Sequence, residues 1–578
     1  MSMHDFPGEL WLMIFKYLST EDLLHTFHSL NQHHRNLIAE HFQFNAVNLR
    51  STSESNCHLC CSYYSSSIRK LRLCQSFDYP SQTSSFLIQH FHLNRFTSLQ
   101  SLSLEHIESS TIWQEILNQI NELQNLTHLC IRQLNVYNNI RTLNSMFNQL
   151  WSLPKLIYVY FDLKHSKEKS NEQFPALNTI SLSLKHVELP SLTCNLNDVH
   201  IICHHTPCLE ILSLNCVSLG GNQLVRHEFE WIKKLRLVFN GVWPALTNLL
   251  QCMTNLEHLT LTATLPISVD GHRWRSLISE HRPNLKVFQF VIHYKTVERQ
   301  STPVQAIRLV NSFNNAFWLT EHHWCVRCDW QRLNDPNYVC LYTLPYILDQ
   351  FYECASNVLL ESQTTCVQNH QSYDRVHSLN YSYFPTVLLP ISFSKLNTLL
   401  LTLPIDNRFQ TVIPSLNELR HIQLYIEENE IDDQRLNLLN TAPCLYKLSL
   451  KKWPSSTTRD VYERITNASI RKLDLYGMSS TNCLQCFDYK RCEALSRTTL
   501  AQQCEKLTIR LETHENIFLL LSNMRNLRLL VARCANDPCS GESEHPDRFL
   551  QQIKAQLPST YIVFREARSF GKIRIWIQ

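Results

Sequence analysis

Three groups of cysteines come nearest to a chemical site: Cys57, Cys60 and Cys61; Cys325 and Cys328 beside His322 and His323; and Cys483, Cys486 and Cys492. The chemistry they would serve is structural zinc binding, which needs four thiolate or imidazole ligands at tetrahedral corners, usually as two well-spaced pairs. Each group is one pair plus strays. In an extended segment the three-residue offset of Cys325 and Cys328 also turns the two thiols to opposite faces. The third group is the best of the three. No cysteine is flanked by the His and Asn pattern of a thiol nucleophile, and no local carboxylate or histidine constellation stands out. Chemistry that needs the backbone to cradle a ligand is excluded more firmly. The chain has 8 glycines in 578 residues, against an average usage of about 7%. No three have the spacing of a dinucleotide-binding loop, no pair frames a phosphate loop, and no GxSxG elbow occurs. The expectation is a protein without catalytic residues, metal or cofactor.

Charge and hydropathy narrow the class further. Lys and Arg number 53 against 50 Asp and Glu, a formal net charge of +3, so there is no global basic field to hold nucleic acid. No run approaches the roughly 18 apolar residues that a membrane span requires. Met1 to Gly8 carries Asp5 and no Lys or Arg before the apolar stretch, so it does not read as a secretory signal. These features predict an intracellular chain, cytoplasmic or nuclear, in which the 22 cysteines serve as buried small hydrophobes or occasional metal ligands rather than a disulfide framework.

The elements that must position any functional residue come in two kinds. From Phe6 to Glu40 the pattern reads as three short helices. Pro7 suits a first helical position, and the first helix should run to about Leu18. Ser19 with Asp22 three residues on starts a second, and Asn31 caps a third. Leu10, Trp11, Leu12, Met13, Ile14, Phe15, Tyr17 and Leu18 make the first helix apolar nearly all round. Such a helix must be buried all round, and about 40 residues cannot do that alone. Either the following domain or a second protein covers the remainder.

These residues resemble an F-box. Phe-Pro-Gly-Glu-Leu (6 to 10), Ile-Phe-Lys-Tyr-Leu-Ser (14 to 19) and Asp-Leu-Leu (22 to 24) are similar to the family pattern Leu-Pro-x-Glu, Ile-Phe-x-Tyr-Leu, Asp-Leu in order and spacing. Asn31-Gln32-His33-His34-Arg35 departs from the Cys-x-x-Trp-like segment that many F-boxes carry in the third helix. The resemblance implies docking on a Skp-type adaptor, and through it on a cullin, in an SCF (Skp–cullin–F-box) ubiquitin ligase. The matching positions are Phe6, Pro7, Glu9, Leu10, Ile14, Phe15, Leu18, Leu23 and Leu24.

Beyond residue 43 a string of the form LxxLxL recurs. Clear copies begin at Leu99, Leu126, Leu156, Leu177, Leu209, Ile232, Leu256, Leu285, Leu396, Leu419, Leu445, Ile470 and Leu527, and weaker ones at Phe44, Ile68, Val376 and Cys504. The string resembles leucine-rich repeats, although the Asn or Cys expected after the third Leu is largely missing. The resemblance implies an α/β protein: a small N-terminal helical F-box followed by an irregular leucine-rich-repeat solenoid, a horseshoe with an inserted β-hairpin. Stacked strand-and-return units of this kind bury one continuous core. The domains expected are a helical module over 1–42, a connector and first cap over 43–67, repeats over 68–290, an interrupted region over 291–375, repeats over 376–535 and a terminal cap hairpin over 536–578.

Alternation along each strand sends the Leu positions inward and the intervening ones outward. Outward residues include Tyr158 and Tyr160 in early repeats, Thr179, Ser181 and Ser183 in the copy begun at Leu177, and Lys447, Lys451, Lys472, Lys506, Arg510 and Arg533 in late ones. The late residues form a stripe that either accepts an acidic or phosphorylated segment of a protein target or simply solvates the sheet. In the interrupted region a helix is expected from Thr302, then two strands, Phe317 to Trp330 and Tyr338 to Pro345, joined by the turn at Asn334-Asp335-Pro336-Asn337. Trp318, Trp324 and Trp330 make this hairpin either a lid over the core or a contact surface. A second hairpin, Tyr561 to Arg565 with Lys572 to Ile577, should close the end of the array. Function then reads as target selection for ubiquitination. The alternative is a repeat-built interaction scaffold with no part in that reaction.

Overall fold

A computed structural model describes residues 6–49, 52, 54–74, 92–107, 110–134, 140–163, 174–217, 228–266, 268–282, 284–295, 302–331, 338–351, 360–366, 372–382, 391–403, 409–426, 438–452, 465–476, 486–537, 548–565 and 572–577. The protein is α/β and divides into two compact units, Met1–Tyr294 and Lys295–Gln578. Among the described residues no helix is long and apolar enough to cross a membrane.

The first unit opens with α1 (Gly8–Phe15), α2 (Thr20–Phe27) and α3 (Gln32–Phe44). The Ser19 hydroxyl accepts from the Asp22 amide at 3.1 Å and the Asn31 side chain from the His34 amide at 2.9 Å, the two N-caps that the sequence predicts. Pro7 differs: it is the N-cap of α1, not its first residue, and its carbonyl receives the Leu10 amide. The helix also stops at Phe15, three residues short of Leu18.

Ten strands follow: β1 (Val47–Asn48), β2 (Lys70–Cys74), β3 (Ser101–Glu105), β4 (His128–Leu134), β5 (Tyr158–Leu163), β6 (His186–Cys194), β7 (Ile211–Val217), β8 (Lys234–Asn240), β9 (His258–Leu265) and β10 (Val287–Lys295). Each pairs in parallel with the next along the chain. Parallel neighbours need a return crossover. Helices Ser110–Ile120, Ile140–Trp151, Leu196–His204, Trp243–Gln251 and Gly271–His281 supply it, with Trp113, Phe147, Trp151 and Trp274 buried beneath. Register sets the core. Leu71, Leu102, Leu129, Val159, Val187, Leu212, Leu235, Leu259 and Phe288 align across β2 to β10, and all are buried.

The second unit holds a helix, Thr302–Ser312, then β11 (Cys325–Gln331), β12 (Tyr338–Leu344), β13 (Gln350–Phe351) and β14 (Leu360–Thr364). Next come β15 (Ser378–Ser382), β16 (Thr398–Leu403), β17 (His421–Ile426), β18 (Lys447–Lys452), β19 (Lys472–Asp474), β20 (Lys506–Leu511), β21 (Leu529–Cys534), β22 (Tyr561–Arg565) and β23 (Lys572–Ile577). β11 is antiparallel to both β12 and β14. β13 and β15 to β21 pair in parallel in chain order, and the terminal hairpin closes the edge as β21-β23-β22, antiparallel. Ile573 and Ile575 face the core, and Ile577 is half-buried.

A backbone device recurs in both units. One carbonyl before each strand accepts two amides from the start of the next: Gln100 from Thr127 and His128, Thr127 from Ile157 and Tyr158, Lys233 from Glu257 and His258, and later Arg420 from Tyr446 and Lys447. The asparagine ahead of the first Leu braces the preceding unit as well. Asn125 donates to the Thr97 carbonyl, Asn255 to Glu230 and Asn526 to Gln502.

Three expectations are corrected, and one pair of alternatives is decided. The copy begun at Leu177 is not a strand: residues 177–184 are irregular, Leu182 is 73% exposed and Ser181 is buried. The strand is instead β6, framed by Leu184, Val187 and Leu189, because a search for Leu missed a frame that uses Val. Phe317–Glu321 is a wide helical turn rather than strand, so only Cys325–Gln331 pairs with β12, and β14 is a third, unforeseen strand. The turn at 334–337 lies outside the described residues. Of the two readings of the aromatic hairpin, burial of Trp318, Trp324 and Trp330 favours the core of this unit over a contact surface. Finally, Cys325 is bonded to Cys366, whereas the cysteines were expected to serve as buried small hydrophobes or occasional metal ligands rather than a disulfide framework.

Candidate functional site

The helical module has a completed core of its own. Trp11 stands edge-on to Phe27 and His34 with ring centroids 5.4 and 5.1 Å apart, and Phe15 lies 5.1 Å from Phe27. His34, in the segment that departs from the F-box pattern, thus fills the space between α1 and α2. His28 bonds the Tyr64 hydroxyl at 2.8 Å and the Phe42 ring meets Tyr64, so α2 and α3 lean on the segment that follows. α1 does not use its whole circumference. Leu10, Met13, Ile14 and Tyr17 are 44%, 57%, 40% and 90% exposed, and their spacing of three, four and seven residues places them on one side of the helix.

The nine residues matched to the adaptor interface therefore separate. Pro7, Glu9, Leu10 and Ile14 are exposed, and Phe6 and Leu18 are half-buried. Phe15, Leu23 and Leu24 are fully buried and are corrected to core residues: their spacing from Trp11 and Phe27 turns them inward. Met13 and Tyr17, which motif matching passed over, complete the exposed stripe. Helical periodicity was the signal that could have found them.

The outward sheet positions form a second surface in each unit. In the first, His128, Tyr158 and His186 share one cross-strand row. The Tyr158 ring lies 4.6 Å from His186, its hydroxyl donates to Glu188 at 3.2 Å, and His186 meets the same carboxylate at 2.9 Å. That imidazole holds the Glu188 carboxyl below the usual carboxylate range, while burial pushes the Tyr158 hydroxyl well up. Tyr160 lies beneath the Arg132 guanidinium at 5.2 Å. These groups satisfy one another, with one carboxylate, Glu188, and one guanidinium, Arg132, among them.

The second unit gathers the cations. Lys447, Lys472 and Lys506 are register partners on β18, β19 and β20, and Arg510 partners Arg533. Lys451 is taken by Asp474 at 3.3 Å. Arg533 donates to the Tyr476 hydroxyl at 3.0 Å, and Lys572, not foreseen, lies over the Tyr476 ring at 4.4 Å. Burial, then the neighbouring Lys447, lower His421 to about 4. Its Nε2 bonds the Ser449 hydroxyl at 3.0 Å. Tyr158 and Tyr160 belong to the first unit and the six cations to the second.

Metal chemistry finds no built site: among the described residues no three His, Cys, Asp or Glu side chains converge on a common point. Burial raises the Cys61 thiol to about 12 and Cys60 well above its usual value. Cys483 lies outside the described residues. No family model matches this chain, and no curated protein matches it either.

Proposed function

We propose that this protein is a non-catalytic target receptor: the N-terminal helices form an F-box that docks on a Skp-type adaptor, and so on a cullin, and a leucine-rich-repeat solenoid holds a protein target for ubiquitination. The observation that carries the reading is the stripe Leu10, Met13, Ile14 and Tyr17, left exposed on a helix whose opposite side already completes its own core. Large apolar side chains clustered in the open mark a partner surface. The rows of parallel, in-register strands offer outward positions for a target, as the repeat resemblance implies. Mechanistically the chain contributes proximity: it raises the concentration of a target lysine near the charged conjugating enzyme and needs no reactive group of its own.

The alternative, a scaffold outside ubiquitination whose helices pack back on the array, has the His28 and Phe42 contacts to Tyr64 in its favour. It leaves the α1 stripe without a purpose. Pull-down with a purified Skp-type adaptor separates the two. The receptor reading expects capture by the wild type and its loss in Pro7→Ala/Leu10→Ala; no capture, or capture unchanged by the pair, supports the scaffold.

A further inference from the structure

Among the described residues one disulfide joins two parts of the chain: Cys325, the first residue of β11, is bonded to Cys366, two residues beyond β14 and 41 positions along the sequence. Both cysteines are half-buried, whereas Cys328, on the same strand, is fully enclosed. The bond is therefore within reach of a thiol from solvent. What it holds is a weakly anchored strand. β14 lies at the edge of its sheet and pairs with β11, Arg327 opposite Thr364 and Gln331 opposite Leu360. Helix Thr302–Ser312 contacts both strands, yet from Glu361 to Cys366 every residue is only half-buried. Apart from the main-chain ladder the ties are polar. The Trp330 indole N–H donates to Glu361 at 2.9 Å, the Val326 amide to the Thr365 hydroxyl at 2.9 Å, and the Thr364 hydroxyl to the Val326 carbonyl at 3.3 Å. An edge strand with so little apolar burial opens locally at low free energy. Closure also leaves polar groups unmet. Arg327 is 1% exposed and its Nη1 has no acceptor among the described residues; the hydroxyl of Ser362, opposite Asp329, is enclosed without a partner as well. Such atoms cost free energy that water restores when the site opens.

We propose that the bond between Cys325 and Cys366 is a thiol-operated latch. Oxidised, it locks β14 onto β11 by denying the intervening chain the freedom of an open loop. Reduced, it releases β14 and opens the edge of β11, with Arg327 beside it, to solvent. The reductant is a small thiol of the glutathione class. Its thiolate attacks one of the two sulfurs and forms a mixed disulfide, while the other cysteine leaves as a thiolate and takes up a proton. A second thiol then displaces the first cysteine in the same way. The chain gains two electrons and two protons and ends with two thiols, and the reductant ends as its own disulfide. The latch goes beyond the receptor reading and does not depend on it.

The test is hydrogen exchange read by mass spectrometry on the full chain, first oxidised with glutathione disulfide and then held in reduced glutathione without denaturant. Alkylation and peptide mapping report the bond on the same samples. Cys325 and Cys366 should be joined in the oxidised chain, and reduced glutathione should part them while the protein stays folded. The amides of 361–366 should then exchange at least tenfold faster, with those of β16 to β18 unchanged. Cys325→Ser/Cys366→Ser should exchange at the fast rate in either buffer, and Cys444→Ser, at an exposed free cysteine, should behave as the wild type does. Should the double variant lose protection throughout, the response of the wild type to reduced glutathione decides alone. The proposal is overturned if the bond does not form in glutathione disulfide or is reduced only after denaturation. Equal exchange of 361–366 in the two states, or loss of protection across the whole chain when the wild type is reduced, overturns it as well.

Discussion

Ile14 and Phe15 are adjacent and equally apolar, yet one faces solvent and the other is fully buried among Trp11, Phe27 and His41. Phe15→Ala should therefore cost about 3–5 kcal/mol and Ile14→Ser less than about 1 kcal/mol, read by denaturant unfolding; comparable losses would mean that the two sides of α1 are misassigned. In the second unit Arg327 is buried and held by Asp329 at 2.7 Å, while Tyr342 donates to the other carboxylate oxygen at 2.7 Å. Asp329→Ala leaves a buried guanidinium charge and should cost about 3–5 kcal/mol, whereas Glu361→Gln, at the half-buried edge strand, should cost far less. His421 supplies a pH dependence. Its folded value of about 4 lies below the unfolded value of about 6.5, so the unfolded chain binds the extra proton. Stability is then full above about pH 6.5 and falls as pH drops toward 4. His421→Gln should flatten the fall in melting temperature over that window; an unchanged slope would refute the assignment.

At the scale of the element, alternation decides which side of each strand a substitution reaches. Leu212 sits in the aligned apolar ladder and Ser213 on the outward side of β7. Leu212→Arg should cost several kcal/mol, about 3 or more, by placing an unpaired charge in the core, and Ser213→Arg under about 1 kcal/mol; equal losses would contradict the strand assignment. Most strands were legible because Leu, Ile and Val at the right offsets leave a period-two trace. The copy at Leu177 misled because its Leu and Ile residues mimic the pattern, while β6 places Val187 where the string asks for Leu. The shared carbonyls at strand entries were illegible, since they involve main chain alone and any residue type serves. β14 was hidden for another reason: Leu-Glu-Ser-Gln-Thr is polar on both sides and declares itself only by pairing with β11.

For the molecule as a whole, each unit presents an ordered sheet face, and the first adds a helix side that stays exposed among the described residues. The α/β class followed from the repeat pattern. The candidate sites were only partly legible. A motif match selects residues by type and mixes Phe15, Leu23 and Leu24 with the exposed stripe, because one apolar alphabet serves both core and docking surface. The cationic stripe was visible as isolated Lys and Arg, but the place of Lys572 depends on the antiparallel closure of β23 on β21, which spacing cannot specify. The central claim is that α1 reserves one side for an adaptor. Titrating a purified Skp-type adaptor into the full chain and into Leu10→Ser/Ile14→Ser tests it most directly. The account predicts saturable binding to the wild type and at least a hundredfold loss in the variant, with melting temperature and circular dichroism unchanged. No binding by the wild type, or equal binding by both proteins, would contradict it.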